Sequence, residues 1–583
     1  MQNPYWINYR NLRNNNKKRY MLSFSAGYDI LDWMNLSARV RIDNADNIFT
    51  QKLYASSIAT LTEGGLNGHY TEARTYDKQT YADVILNIDK ALGKDWTIVA
   101  NIGASYNNIG TDELRYGGPI QDNGLANVFN VFDLDDTKKR ASKSGWNDET
   151  QSVFGSVELG GKKMLYITAT GRNDWASQLA GSSERSFFYP SVGISWVPTS
   201  IWDFGAVNYF KLRASVASVG MPFPRFLTMP TYEYDATNKI WKDKTHYPIG
   251  DLKPERTLTY EVGVETRFWQ DLSLNLSWYL ADTYNQTFDP SLPPSSSYTI
   301  YLQTGSVRNT GIEASVGYNH TWRGFTWDSG VTFSWNRNEI RDLADGAVNP
   351  VTGENLNLEK LEIKALGKAK YILRKGGTLG DLYTTSDLKR NNYGYIELDD
   401  NGEVSLADNG KELFLGSVFP KYNLAWRNDF SWKGLHLGLL FSGRIGGVCY
   451  SATQANLDLY GVSKVSADAR DAGGVLVNNR QMISAQKWYQ KIGSQSGLPQ
   501  YYTYDATNFR LQELSVGYTM PRKWFREKAA LTLSFVGHNL WMIWCKAPFD
   551  PESVASTGNN YQGIDYFMMP SLRSLGINVR LDF

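Results

Sequence analysis

The sequence has 583 residues, enough for about four domains on length alone, and sets 60 Lys and Arg against 59 Asp and Glu for a formal net charge of +1. That balance gives no basic face for nucleic acid, and 42% hydrophobic residues with 20% charged ones excludes a disordered chain. No apolar run approaches the length of a membrane helix and the mean hydropathy is −0.41, which excludes a transmembrane helix but not membrane strands, since each of those needs only about 9–11 residues, half of them apolar.

Taken in chain order, the dominant pattern is strict alternation. It starts near 20–30 and is explicit in "LSARVRID", where Leu36, Ala38, Val40 and Ile42 share one face and Arg39, Arg41 and Asp43 the other. It recurs near 80–89, 94–106, 149–159, 163–173, 187–197 and 208–219. "LTYEVGVETRFW" opposes Leu258, Tyr260, Val262, Val264 and Phe268 to Glu261, Glu265 and Arg267. "LSLNLSWYL" opposes Leu272, Leu274, Leu276, Trp278 and Leu280 to Ser273, Asn275 and Ser277, and "GIEASVGY" sets Ile312, Ala314, Val316 and Tyr318 against Glu313 and Ser315. Segments near 324–337, 421–431, 434–446, 509–520 and 529–540 lead to the terminal "LGINVRLDF", in which Leu575, Ile577, Val579, Leu581 and Phe583 alternate with Gly576, Asn578, Arg580 and Asp582. About 17 strands result, many longer than the usual ~5–6 residues.

The connections are of two kinds. Short turns pair Gly or Asp with an aromatic, as in "LGKDWT", "TWRGFTW" and "SWKGLH". The alternate connections are long, near 44–79, 107–148, 220–256, 285–306, 338–420, 447–508 and 541–572. Short turns on one rim and long loops on the other is the asymmetry of an outer-membrane barrel. Trp33, Trp96, Trp269, Trp322 and Trp432 flank the short turns as an interfacial girdle would. The expected fold is therefore all-β, a transmembrane antiparallel barrel whose apolar stripes meet lipid and whose polar stripes line a wet lumen. Phe583 then ends at the short-turn rim, with Arg580 and Asp582 facing the lumen. An odd strand count starting on the long-loop side cannot close with antiparallel neighbours, so the chain reads as incomplete. The N-terminus, "MQNPYWINYR", has no apolar signal-peptide core. Cys449 and Cys545 make no CxxC pair, and the sequence leaves them either paired with each other or as two free thiols.

Three ordered segments near the C-terminus, "NFRLQELSVGYTMPRKW" (508–524), "VGHNLWMIWCKAPFDPES" (536–553) and "PSLRSLGINVRLDF" (570–583), resemble the closing signature of SusC-like TonB-dependent outer-membrane transporters. Upstream, "LKPERTLTYEVGVE", "GSVRNTGIEASVGY" and "VFPKYNLAWRNDFSWKGLHLGLLFSGRIGG" are similar to successive hairpins of that family, and residues 3–40 to an internal barrel segment. The resemblance spans residues 1–583 as one partial barrel. It implies about 22 strands for the whole, so about five are expected to lie outside this chain, together with the family's N-terminal plug. It also implies a Gram-negative outer membrane, energy from TonB acting through that plug, a SusD-like surface lipoprotein as lid, and a glycan or peptide ligand. A passive porin and a soluble carbohydrate-active protein are the competing readings. The first would need an even barrel from this chain alone, and the second a repeat or a catalytic constellation that the sequence lacks.

"ELDDNGEVSLAD" (397–408) places Glu397, Asp399, Asn401, Glu403 (through its carbonyl), Ser405 and Asp408 at the ligand positions of a calcium loop, with Gly402 at the sharp turn. Glu at the first position and Asp at the last depart from that pattern, and Asp-Asn-Gly is also good turn chemistry without metal. The resembling family often carries an Asp-rich loop here, so calcium is the one cofactor considered; none is required. The loop aromatics Trp175 and Trp241 are candidates for stacking on sugar rings, against a packing role. Glu158, Arg213, Glu261, Glu265, Arg267 and Glu313 read as a solvated lumen wall with cross-strand pairs. No HExxH, GxSxG or phosphate-loop pattern points to catalysis, so no enzyme is expected.

Overall fold

The computed structural model describes residues 3–583 apart from 229–232, 236–239, 243–245, 249–251, 289–298, 344–346, 349–352, 357, 495 and 557–561. Among the described residues, seventeen long strands form one sheet in chain order, each antiparallel to the next. They are β1 (Asn11–Leu31), β2 (Met34–Tyr54), β3 (Gly68–Leu92), β4 (Trp96–Pro119), β5 (Arg140–Gly161), β6 (Leu165–Ala176), β7 (Phe187–Trp196), β8 (Val207–Met221) and β9 (Glu255–Phe268). β10 (Leu272–Phe288), β11 (Thr299–Trp322), β12 (Phe325–Asp342), β13 (Tyr422–Trp432), β14 (Leu435–Ile445), β15 (Asn508–Thr519), β16 (Ala530–Cys545) and β17 (Ser574–Asp582) follow. A short segment, His246–Pro248, adds a parallel pairing to Thr299–Tyr301. No described helix is long and apolar enough to cross a membrane.

Registers carry the alternation across the sheet. Leu36, Ala38 and Val40 of β2 stand opposite Leu86, Val84 and Ala82 of β3, which stand opposite Ile102, Ala104 and Tyr106 of β4. This stripe is apolar yet half-exposed, as at Val84 and Ile102. It gives way to Asn44, Lys78, Asn108 and Glu149 after about five alternating positions, which matches the ~9–11 residues needed to cross hydrocarbon. The short turns follow from local chemistry. Arg323-Gly324 and Lys433-Gly434 have positive φ at both residues, the twist-matched two-residue hairpin turn in which Gly avoids a side-chain clash. Trp96, Trp269, Trp322 and Trp432 are exposed beside these turns, and the Lys90 ammonium lies 4.2 Å from the Trp33 ring centre.

The first five strands are far longer than the alternation indicates, 21 to 25 residues each. Much of the expected loops 44–79 and 107–148 is therefore strand standing above the apolar band, laced on its outer face by Arg74–Asp46 at 2.6 Å and Lys78–Asp112 at 3.1 Å. β1 and β17 are the two edges, with no ladder between them among the described residues, and both are exposed on both faces.

The largest hydrophobic core lies outside the barrel. Three long connections fold together into a crown on the long-loop rim. It holds a four-stranded sheet (Lys360–Lys364, Lys370–Arg374, Asp381–Leu388, Leu406–Ser417) and a three-stranded one centred on Val448–Ser451. Three helices complete it: α1 (Ala452–Leu459), α2 (Lys464–Asp471) and α3 (Ala485–Ile492). Tyr371, Leu382, Tyr450, Ala455, Trp488, Ile492 and Ile564 are buried together, and Ser451 and Ser463 cap α1 and α2 by accepting from Gln454 N and Ser466 N. Truncating Trp488 to alanine is expected to cost about 3–5 kcal/mol of crown stability. Limited proteolysis should then cut 447–508 while the barrel still migrates as a folded species on unheated gels. Cys449 is buried in this crown and Cys545 lies on β16; both are free thiols.

Candidate functional site

The lumen wall is built from the polar stripe. Arg213 on β8 reaches across β9 to Glu261 at 3.1 Å and on to Ser277 of β10 at 2.5 Å. Gly263 makes this possible, because a Cβ there would stand 2.8 Å from the guanidinium carbon. Asn275, Ser277, Glu313, Ser334 and Asn423 continue the same surface around a recess of about 360 Å³. A second group lies nearer the long-loop rim, where Arg172 donates to Asp174 at 2.7 Å and to Ser152 at 2.7 Å over the face of Phe154. Arg39–Asp83 and Arg19–Asp43 extend the pairing onto β1–β3. Glu158 accepts from the Thr168 hydroxyl at 3.0 Å. Cross-strand pairs of this kind hold charges in fixed places without a net field, leaving a wall of donors and acceptors.

At the rim, Arg510 of β15 is buried at 3% exposure and binds Asp550 through both terminal nitrogens, at 2.9 and 3.2 Å. It also reaches Glu552 at 3.3 Å and accepts orientation from Asn508 Oδ1, to which it donates at 3.1 Å. Ser571 Oγ donates to Asp550 at 2.5 Å. Burial would push the Asp550 carboxyl up, but the hydrogen bonds from Arg510, Ser571 and the Glu552 N–H outweigh it and hold it below the usual carboxylate range. This network ties the last long connection to the barrel. Its members all stand in the segments that carry the family resemblance, yet their pairing across 40 positions has no periodic signature.

The residues singled out from the sequence fall elsewhere. Trp175 is in β6, not in a loop, and lies opposite Gln151 on the face shared by Leu165 and Ile167, the outer one. It therefore stands at the upper edge of the apolar band rather than in the lumen. Trp241 is in the hairpin Glu233–Asp235/Ile240–Lys242 and is 68% exposed. The 397–408 segment is a tight turn. Asp399 Oδ1 accepts from Asn401 N at 3.0 Å and Glu403 N at 2.8 Å, and the Glu403 carbonyl accepts from Asp399 N. Lysines take the carboxylates: Lys389 pairs with Glu397 at 2.9 Å, and Lys487 and Lys491 of α3 with Glu403 at 3.1 and 3.6 Å. The Ser405 carbonyl accepts from Lys389 N, and the side chain of Asp408 lies outside the described residues. Among the described residues no group of three or more His, Cys, Asp or Glu could hold a metal ion.

A sheet with a lipid-width apolar band outside, paired polar groups inside, short turns on one rim and a folded crown on the other defines the wall of an outer-membrane β-barrel. Residues 2–540 match the family model described as TonB dependent receptor-like, beta-barrel, and the chain belongs to that family, whose members are outer-membrane proteins of Gram-negative bacteria. It is 23% identical to TonB-dependent receptor P3 of Formosa agariphila, over all of this chain and 60% of that protein. It is also 23% identical to TonB-dependent receptor SusC of Bacteroides thetaiotaomicron, over 33% of this chain and 21% of that one. Among solved structures it superposes on the RagAB peptide importer in its open-open state with a TM-score of 0.76 at 16% identity, over all of this chain and 63% of that one. The chain thus spans little more than half the length of the long curated relatives it matches.

Proposed function

We propose that this chain forms most of the wall and the outward crown of a TonB-driven importer of oligosaccharide or peptide, working with a SusD-like surface lipoprotein. The observation that carries the reading is the open sheet with a lipid-facing band, a paired polar lumen and two edges that, among the described residues, have no ladder between them. Unpaired backbone groups cost several kcal/mol each in hydrocarbon, so the edges call for partners. β1 and β17 both run toward the short-turn rim, so pairing them directly would be parallel, and antiparallel closure takes an odd number of further strands. A barrel so completed is wide enough to need a plug, and TonB acts through that plug in this reading. The likeness to SusC and to a peptide importer supports a bulky polar cargo, and the crown supplies a folded rim on which a lid can rest. The chain does no chemistry on the cargo, and the 397–408 turn serves as a brace for α3 rather than as a calcium loop.

The test is uptake of labelled oligosaccharide and peptide mixtures by source cells with and without the gene, before and after a protonophore collapses the proton-motive force. Uptake of one class is expected to vanish on deletion and on collapse alike. Gene-dependent uptake that persists after collapse would instead establish a passive channel.

A further inference from the structure

The crown holds a cavity of about 210 Å³ between α1, α2 and α3, separate from the lumen. Its inner wall is made by Asp458, Ser466 and Tyr489, all buried, with Asp458 only 4% exposed. Its mouth carries the exposed side chains of Tyr460, Arg470, Gln486 and Gln490.

Asp458 is an unusual group to find there. Its carboxylate accepts from Gln454 Nε2 at 2.7 Å, and among the described residues it has no ion-pair partner. The Tyr502 hydroxyl is buried beside the same carboxylate, and burial first, then the Asp458 charge and a hydrogen bond to it, raise that hydroxyl. Burial first, and then the Asp458 charge, raises the hydroxyls of Tyr489 and Tyr504, the latter to about 12. Arg470, the one cation among the lining residues, makes no ion pair with Asp458 and donates to the Gly461 carbonyl at 2.7 Å. A buried carboxylate is ordinarily paired or bound to metal. A metal such as calcium wants six to eight oxygens, and no such group of acids is assembled here. An organic cation needs one counter-ion and is further favoured by aromatic neighbours, which this cavity has.

We propose that the cavity binds a primary ammonium group of a ligand arriving from outside the cell. Asp458 is its counter-ion, Tyr489 its aromatic wall, and Gln486 and Gln490 hold the polar atoms next to it at the mouth. A peptide amino terminus and an amino sugar share this chemistry. The proposal rests on the importer reading only for placing the crown outside; binding itself needs no transport.

Isothermal titration of the detergent-solubilised protein with tri-alanine, N-acetyl-tri-alanine, glucosamine and N-acetylglucosamine tests it. Acetylation of the amine is expected to weaken binding at least tenfold on the wild-type protein, and Asp458→Asn is expected to produce the same loss for the free amine with an unchanged melting temperature. Binding of tri-alanine alone identifies peptide as the source, and of glucosamine alone an amino sugar; either supports the site. Equal binding of free and acetylated forms, wild-type affinity in Asp458→Asn, or no binding of either amine overturns it. Because the acetylation comparison uses the wild type, it holds even if the variant misfolds. A failure of energy-dependent uptake leaves this result standing.

Discussion

Arg510→Ala is expected to cost about 3–5 kcal/mol, because it leaves the largely buried Asp550 carboxylate without its cation. Arg510→Lys keeps the charge but loses the fork that engages Asp550 with two nitrogens, so it should fall between the variant and the wild type. The measurement is thermal unfolding of the detergent-solubilised protein, with protease cleavage within 546–573 as the local readout. The same network sets a pH dependence. Asp550 is held below the usual carboxylate range when folded, so its contribution is fully present above its unfolded value of about 3.9. It is lost as the pH falls through the lower, folded value. Protection of 546–573 should therefore hold at neutral and mildly acid pH and fail only in stronger acid. In Arg510→Ala the carboxyl loses its partner, and that acid-dependent loss should move to higher pH. Equal protection of variant and wild type at neutral pH would show that the network does not anchor the connection.

Val84→Arg is expected to cost about 2–4 kcal/mol of folding into bilayers, the penalty for a cation on the lipid face near the midplane. Ile85→Arg, one residue on, should cost far less, because Ile85 belongs with Asp83 and Asn87 on the lumen side. Val84 is 50% exposed in the middle of the outer stripe, between Ala82 and Leu86. The check is folding into phospholipid vesicles across a urea series, scored by the compact unheated gel band. Equal penalties at the two positions would refute the assignment of lipid and lumen faces. The reverse order would mean that the sheet is turned inside out.

How much of this was legible in the sequence depends on whether a segment touches lipid. Within the hydrocarbon, one face must be apolar and the other wet, so "LSARVRID", "LSLNLSWYL" and "LGINVRLDF" declare strand, register and face by themselves. The seventeen strands, the Trp-flanked turns and Phe583 beside the short-turn rim follow from that alone; Asp582 indeed pairs with Ala530 at the foot of β16. Above the band both faces meet water and the alternation disappears. Asn44–Tyr54 and Asn107–Pro119 were therefore readable only as loops, though backbone pairing carries them on as strand. The same limit put Trp175 in a loop when it ends β6.

The crown lay wholly outside what the chain could declare. Its core unites residues as distant as Tyr371 and Ile564, and such contacts depend on three connections meeting in space. The Lys487 and Lys491 side chains that occupy Glu403, and the Asp550 that meets Arg510, likewise come from separate connections. Sequence by itself determined where the chain crosses the membrane, since lipid imposes a one-dimensional rule on each strand. Only the tertiary structure decided which loops fold together, which carboxylates are ion-paired and that Asp458, among the described residues, is not, because those outcomes depend on what long-range packing brings within a few ångströms.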